Sequence, residues 1–237
     1  MIKAALTYIM GFRDTEITEH NGFKYLNRQL SQMPEDSPSV FSTKTLASLV
    51  ELILKENAHN SLNDLIIHID SPTKVNVFTT LRDHLDRFYL YSAVAELPSI
   101  ALGNYMEMEK FNIMLKSTFV QSDMRDDLIS LVGSVTEEAV KTTNDDGISQ
   151  KVVARKGINT VGNVTIKPIV KLAPYRTFLE VAQPEGEFLL RLKDGPEAAL
   201  FEADGGAWKL AARKSIKAYF EVALKDLVTI GKVIVTE

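Results

Sequence analysis

The stretch from Phe201 to Leu224, FEADGGAWKLAARKSIKAYFEVAL, constrains this chain more than any other, because it ends a strand, turns and launches a helix in one short segment. Glu202, Asp204, Gly205 and Gly206 form the turn. Glycine tolerates positive φ, and an aspartate just ahead of a helix can accept hydrogen bonds from its first free N–H groups. Trp208, Ala212, Ile216, Tyr219, Phe220, Ala223 and Leu227 then recur at helical spacing, predicting a helix over about 205–227 with one apolar face. That face is expected to dock on a sheet built from residues 131–202. Lys209, Arg213 and Lys217 line up four apart on another face, with Lys214 beside them. A strand–turn–helix junction is a site in some proteins and a packing corner in most.

Charge is distributed unevenly around this segment. Residues 1–146 carry 13 Lys+Arg against 21 Asp+Glu, whereas residues 147–179 carry six basic residues and no acid. The six are Lys151, Arg155, Lys156, Lys167, Lys171 and Arg176. Such a window reads as a polyanion-binding surface, as a solvated strand face, or as the complement of the protein's own acidic half in an oligomer.

The chain is long enough for one elaborated domain or two closely packed lobes. It has no cysteine, which removes disulfides, zinc ribbons and thiol nucleophiles and suits a reducing interior. The first residues, MIKAALTYIMGFRD, hold only a short apolar segment, and no later run approaches the ~18 apolar residues of a membrane span. No signal peptide and no membrane span are expected, and a cytoplasmic setting follows.

In chain order, Ile2–Phe12 reads as a short helix, and Glu16–Leu26 as a hairpin around Asn21-Gly22. Met33–Pro38 is a loop. Ser42 or Thr43 can cap a helix whose stripe is Leu46, Leu49, Val50, Ile53 and Leu54. Leu65–Asp70, Lys74–Thr79 and Arg87–Ala95 read as a three-stranded meander, followed by helices over Asn104–Phe119 and Ser122–Leu131. Met106, Met108 and Met114 read as core filling rather than a partner groove. Beyond residue 131 the pattern turns to β. Val132–Thr142 and Ile148–Ile158 flank Asn144-Asp145-Asp146-Gly147 and predict a long hairpin whose second arm is basic. Val164–Leu172 is extended but broken by Pro168, which places it at an edge or a bulge. Glu187–Lys193 and Ala198–Glu202 are strands joined at Asp194-Gly195-Pro196, and Thr229–Val235 is a last β segment. The expected class is α+β, with an acidic N-terminal lobe (1–130) of helices on a small antiparallel meander. The C-terminal lobe (131–237) is a long hairpin and antiparallel strands covered by the basic amphipathic helix.

Little catalytic chemistry is legible. His20, His59, His68 and His84 are scattered without metal-ligand spacing, and Asp204-Gly205-Gly206-Ala207 lacks the glycine and lysine placement of a phosphate loop. Glu202 and Asp204 would point to one side of a continuing strand, and with Lys209 they faintly echo a metal-dependent nuclease; the lysine, however, lies on the helix. No catalytic residue, metal or cofactor is expected.

The segments LVGSVTEEAV, NDDGISQKVVARKGI, LAPYRTFLEVAQPEGEF and ALFEADGGAW, preceded by IHIDSPTKVNVF and AELPSI, resemble an uncharacterised protein family encoded by tailed phages and prophages. The resemblance covers most of the chain, and ALFEADGGAWKLAA is its most specific part. It implies a phage accessory protein expressed among early replication, recombination or host-takeover genes and acting in the host cytoplasm. It carries over no activity and no site residue.

The leading expectation is a non-catalytic, oligomeric nucleic-acid-associated factor of the single-strand binding or annealing type. Lys151, Arg155, Lys156, Lys167, Lys171, Arg176, Lys209, Arg213 and Lys217 would meet the phosphates. Few aromatics, only Tyr175 and Phe178, lie in the window for base stacking. The alternative is a protein-binding inhibitor or modulator of a host defence or replication system, supported by the acidic first 146 residues; the nuclease reading comes third.

Overall fold

The computed structural model describes residues 2–11, 17–26, 38–59, 64–82, 85–134, 150–155, 161–166, 168–193 and 197–237. The chain divides into a small unit ending at Ser39 and a larger one beginning at Val40.

In the small unit, helix α1 (Ile2–Gly11) precedes a hairpin of β1 (Ile17–His20) and β2 (Phe23–Leu26), paired from Ile17↔Leu26 to His20↔Phe23. Asn21 and Gly22 sit at φ 52° and 80°. A two-residue hairpin turn matched to strand twist needs positive φ at both central positions, which asparagine and glycine supply most cheaply.

The large unit holds two hydrophobic cores, each built on one face of a sheet. The first sheet is a meander of β4 (Leu65–Ser71), β5 (Lys74–Thr79) and β6 (Tyr89–Val94), flanked by β3 (Phe41–Thr43) parallel to β6 and β13 (Val233–Thr236) parallel to β4. Leu65, Ile67 and Ile69 alternate inward from β4, as strand periodicity requires. Helix α2 (Leu46–His59) contributes Leu46, Leu49 and Ile53 to the same core. Helix α5 (Trp208–Ala223) contributes Ile216 and Phe220, and the short α6 (Lys225–Thr229) adds Leu227.

The second sheet runs β10 (Ile169–Leu172), β11 (Gly186–Lys193), β12 (Glu197–Glu202), β7 (Met106–Glu107), all antiparallel. Helices α3 (Met108–Thr118) and α4 (Asp123–Ser134) cover one face, where Phe111, Leu115, Leu128 and Val132 meet Val170, Phe188, Leu190 and Leu200. Met114 is buried, and Met106 and Met108 pack against this core. A separate two-stranded ribbon pairs β8 (Gln150–Arg155) with β9 (Val161–Ile166).

The α+β class is what the structure has, but several elements differ from the sequence reading. The apolar face of α5 docks on the five-stranded sheet, beside β4 and β13, and not on the sheet drawn from 131–202. The sequence shows that the face is apolar; which sheet it meets is set by the path of the chain after residue 224, which returns β13 alongside β4. Val132–Ser134 is helical, because α4 continues its 3.6-residue spacing through Leu128 and Val132; the basic arm β8 pairs with β9, and residues 135–149, the rest of the expected first arm and its turn, lie outside the described residues. Helix α2 is capped by Thr45, whose Oγ1 accepts the Ser48 N–H at 3.3 Å, while Ser42 and Thr43 belong to β3. Residue 131 falls inside α4, and each core takes residues from both sides of it. The loop around 33–37, His84, the turns at 144–147 and 194–196, and Lys156 and Lys167 lie outside the described residues.

Candidate nucleic-acid interface and the Arg176 node

Of the nine basic residues singled out in the sequence, Lys171, Arg176, Lys209, Arg213 and Lys217 fall into distinct environments. Arg176 is buried, at 7% exposure. It lies on the segment from Ala173 to Glu185, which leaves β10 and joins the two cores. Pro174 bridges to Phe119, Tyr175 N–H donates to Thr118 O at 2.9 Å, and Phe178 enters the five-stranded core. Thr177, fully buried, donates its hydroxyl to Pro72 O at 2.6 Å in the β4–β5 turn.

One glutamine side chain shapes this segment. Gln183 Oε1 accepts the N–H groups of Arg176 and Thr177 at 3.0 and 3.1 Å, and its Nε2 donates to Thr177 O, Phe178 O and Val181 O. Backbone groups of an irregular segment have no ladder to pair with, so a side chain with both donors and an acceptor satisfies them.

The Arg176 guanidinium is thereby aimed at the strand–turn–helix junction. Its Nη1 donates to Glu202 Oε1 at 2.8 Å, its Nη2 lies 3.7 Å from Asp204 Oδ2 and donates to Pro184 O at 3.3 Å. The group also stacks over the Trp208 ring, 4.1 Å from its centre, with Phe188 at 5.7 Å. Burial pulls the Arg176 pKa down, and the charges of Asp204 and Glu202 oppose that pull. Glu202 and Asp204 do converge, as their spacing implied, but on an arginine that takes up their charge. Asp204 Oδ1 also accepts the Gly206 N–H at 2.9 Å, closing the turn in which Gly205 and Gly206 have φ of 61° and 80°. Helix α5 itself starts from Ala207 without a side-chain cap. Gly186 backs the node: a Cβ there would fall 2.5 Å from Arg176 Nη2 and 2.7 Å from Asp204 Oδ2.

Arg176 is therefore turned inward, with its charge met by carboxylates. Lys171, exposed on β10, pairs with Glu187 at 3.7 Å. Lys209 is exposed on α5, with Arg213 and Lys217 half-buried behind it; among the described residues none of the three forms an ion pair with a carboxylate. Lys151 and Arg155 stand at same-parity positions of β8, in register with Thr165 and Val161 of β9.

Gln183, Gly186 and the inward role of Arg176 escaped sequence reasoning. The one available signal was Gln183-Pro184-Glu185-Gly186, a turn sequence whose glutamine looks like any surface residue until the loop folds around it. Compared with known protein families, curated proteins and solved structures, the chain matches none of them.

Proposed function

We propose that this chain is a non-catalytic nucleic-acid-associated factor of the single-strand binding or annealing type that works as a homo-oligomer. The observation that carries the reading is the β8–β9 ribbon: within the acid-free window, Gln150–Arg155 and Val161–Ile166 pair as a separate two-stranded sheet that carries Lys151 and Arg155 at same-parity positions. Paired cations on a ribbon follow a phosphate backbone, and affinity then comes from counterion release. Lys209, Arg213 and Lys217 add a second cationic row, rising ~6 Å per step along α5, close to the spacing of successive phosphates. Lys171 and Arg176 leave the contact set because carboxylates hold them. Assembly is supported by β10, an edge strand paired only with β11 among the described strands and starting next to Pro168. In the setting that the sequence resemblance implies, the protein acts in a phage-infected cell.

The test is binding of a labelled single-stranded oligonucleotide across a salt series, with wild type and the Lys151→Glu/Arg155→Glu variant side by side. Salt-sensitive binding that the variant loses supports the reading. Binding that is absent in wild type, or unchanged in the variant, overturns it and leaves the ribbon as a contact for an acidic protein partner.

A further inference from the structure

β10 is the outer strand of the four-stranded sheet, and the direction of its backbone groups follows from one hydrogen bond and the register. Leu190 N–H donates to Pro168 O at 2.8 Å, and the antiparallel pairing sets Val170 against Phe188 and Leu172 against Gly186. Backbone groups alternate sides along a strand, so Pro168, Val170 and Leu172 turn theirs toward β11. Those of Ile169 and Lys171 therefore face outward. Among the described residues, nothing donates to them or accepts from them. Pro168 does not block this edge, because the N–H that it lacks would have faced β11. Beyond Lys171 the edge closes, where Ala173 O accepts the Val120 N–H at 2.8 Å. The Ile169 side chain, 49% exposed, stands beside the open groups. An unpaired strand edge of this kind is a template for another strand.

We propose that β10 pairs with β10 of a second copy of this chain, antiparallel, with the two-fold axis at Val170. The proposal rests on the homo-oligomer of the reading above and names its interface. In that register Ile169 lies opposite Lys171 of the second copy, and Lys171 opposite its Ile169. Both are hydrogen-bonded pairs, each exchanging two N–H···O bonds, so every open group on the two edges is used. The side chains agree with the backbone. Directly opposed residues share a sheet face, which puts Ile169 beside Leu189 and Lys171 beside Glu187 on the same side. Each joined row then runs Leu189, Ile169, and Lys171 and Glu187 of the second copy. The lysine stem covers the exposed isoleucine, while its ammonium stays 3.7 Å from Glu187 of its own chain. An unrelated strand satisfies the backbone alone; a second copy brings the matching row by symmetry.

The chain has no cysteine, so single-cysteine variants test this register without background. Val170 would lie opposite its own copy at a Cα separation of about 4.5 Å, and Ile169 opposite Lys171 at about 5.5 Å, both within disulfide range. Ile169 and its own copy, or Lys171 and its own copy, are diagonal neighbours about 7–8 Å apart, beyond that range. Mild oxidation of the full chain is therefore expected to cross-link Val170→Cys, and Ile169→Cys mixed with Lys171→Cys, while each of the latter two alone stays mostly uncross-linked. Lys171→Pro removes an outward N–H and leaves the β11 ladder intact. It deletes one bond from each exchanged pair and should weaken self-association in sedimentation roughly 30-fold. No disulfide from Val170→Cys, cross-linking of Ile169→Cys or Lys171→Cys alone as fast as of their mixture, or wild-type association of Lys171→Pro overturns the pairing. An oligomer that persists under any of these outcomes keeps the reading above and moves its interface elsewhere; a wild type that stays monomeric at high concentration overturns both. The expected disulfides without oligonucleotide binding leave the pairing standing and strike the nucleic-acid reading alone.

Discussion

Oε1 of Glu180 accepts the backbone N–H of Leu46 at 2.8 Å, so helix α2 is capped by a carboxylate 134 positions further along the chain. The same oxygen lies 3.4 Å from the Ala47 nitrogen, and the negative charge sits at the positive end of the helix macrodipole. Because Glu180 belongs to the segment that carries Arg176, this contact also fixes where that segment lies. Glu180→Ala is expected to cost ~1 kcal/mol, the usual worth of an N-cap, and to raise amide exchange first at Leu46 and Ala47. Unchanged exchange in that turn would show that Thr45 caps α2 alone.

The Arg176 node should be the most sensitive point of the large unit. Removing one partner of a buried ion pair strands the other charge and costs about 3–5 kcal/mol, so Arg176→Ala is expected to lower the thermal midpoint strongly. Gly186→Ala tests the same node from behind. Arg176 is pinned between Trp208, Phe188 and its carboxylates and has little room to retreat from a new Cβ. Overpacking of this kind costs roughly 1–3 kcal/mol, and Trp208 emission should shift with it. A Gly186→Ala protein with wild-type stability and emission would show that the node yields freely.

Two tyrosines make the fold sensitive to alkali. The Tyr91 hydroxyl donates to Glu56, and burial first, then that hydrogen bond and the carboxylate charge, push its pKa well above the ordinary tyrosine value. Burial and Glu180 push Tyr219 the same way. A folded pKa raised above the unfolded one gives stability that is complete below about pH 10 and falls as the pH rises beyond it, because the unfolded chain loses the proton first. The thermal midpoint should therefore fall above pH 10, and less steeply in Tyr91→Phe. Parallel curves for the two proteins would assign the loss to other groups.

For the ribbon, the salt dependence supplies the number. Each phosphate contact to a single strand contributes about 0.7 to the slope of log K against log salt, so Lys151→Glu/Arg155→Glu should flatten the slope by about 1.4. Circular dichroism and melting should stay near wild type, because surface charge changes usually alter stability by less than about 0.5 kcal/mol. A flattened slope together with a collapsed melt would mean that the ribbon holds the fold rather than the ligand.

What the sequence determined by itself is local. The Asn21-Gly22 hairpin, the β4–β5–β6 meander, the inward alternation of β11 and the apolar stripe of α5 all follow from periods of 2.0 and 3.6 residues and from the φ freedom of turn residues. The convergence of Glu202 and Asp204 was legible for the same reason, since alternate residues of an extended strand share a side. Tertiary structure alone decided their partner: Arg176 reads as one more cation of a basic window, until Gln183 folds its loop and turns it into the junction. It likewise chose the sheet under α5 and the distant cap of α2, and it set β3 and β13 beside strands far away in sequence. Periodicity states which face of an element is apolar and which groups need partners, but the partner is selected by the burial and hydrogen bonding of the whole chain, which no local window contains.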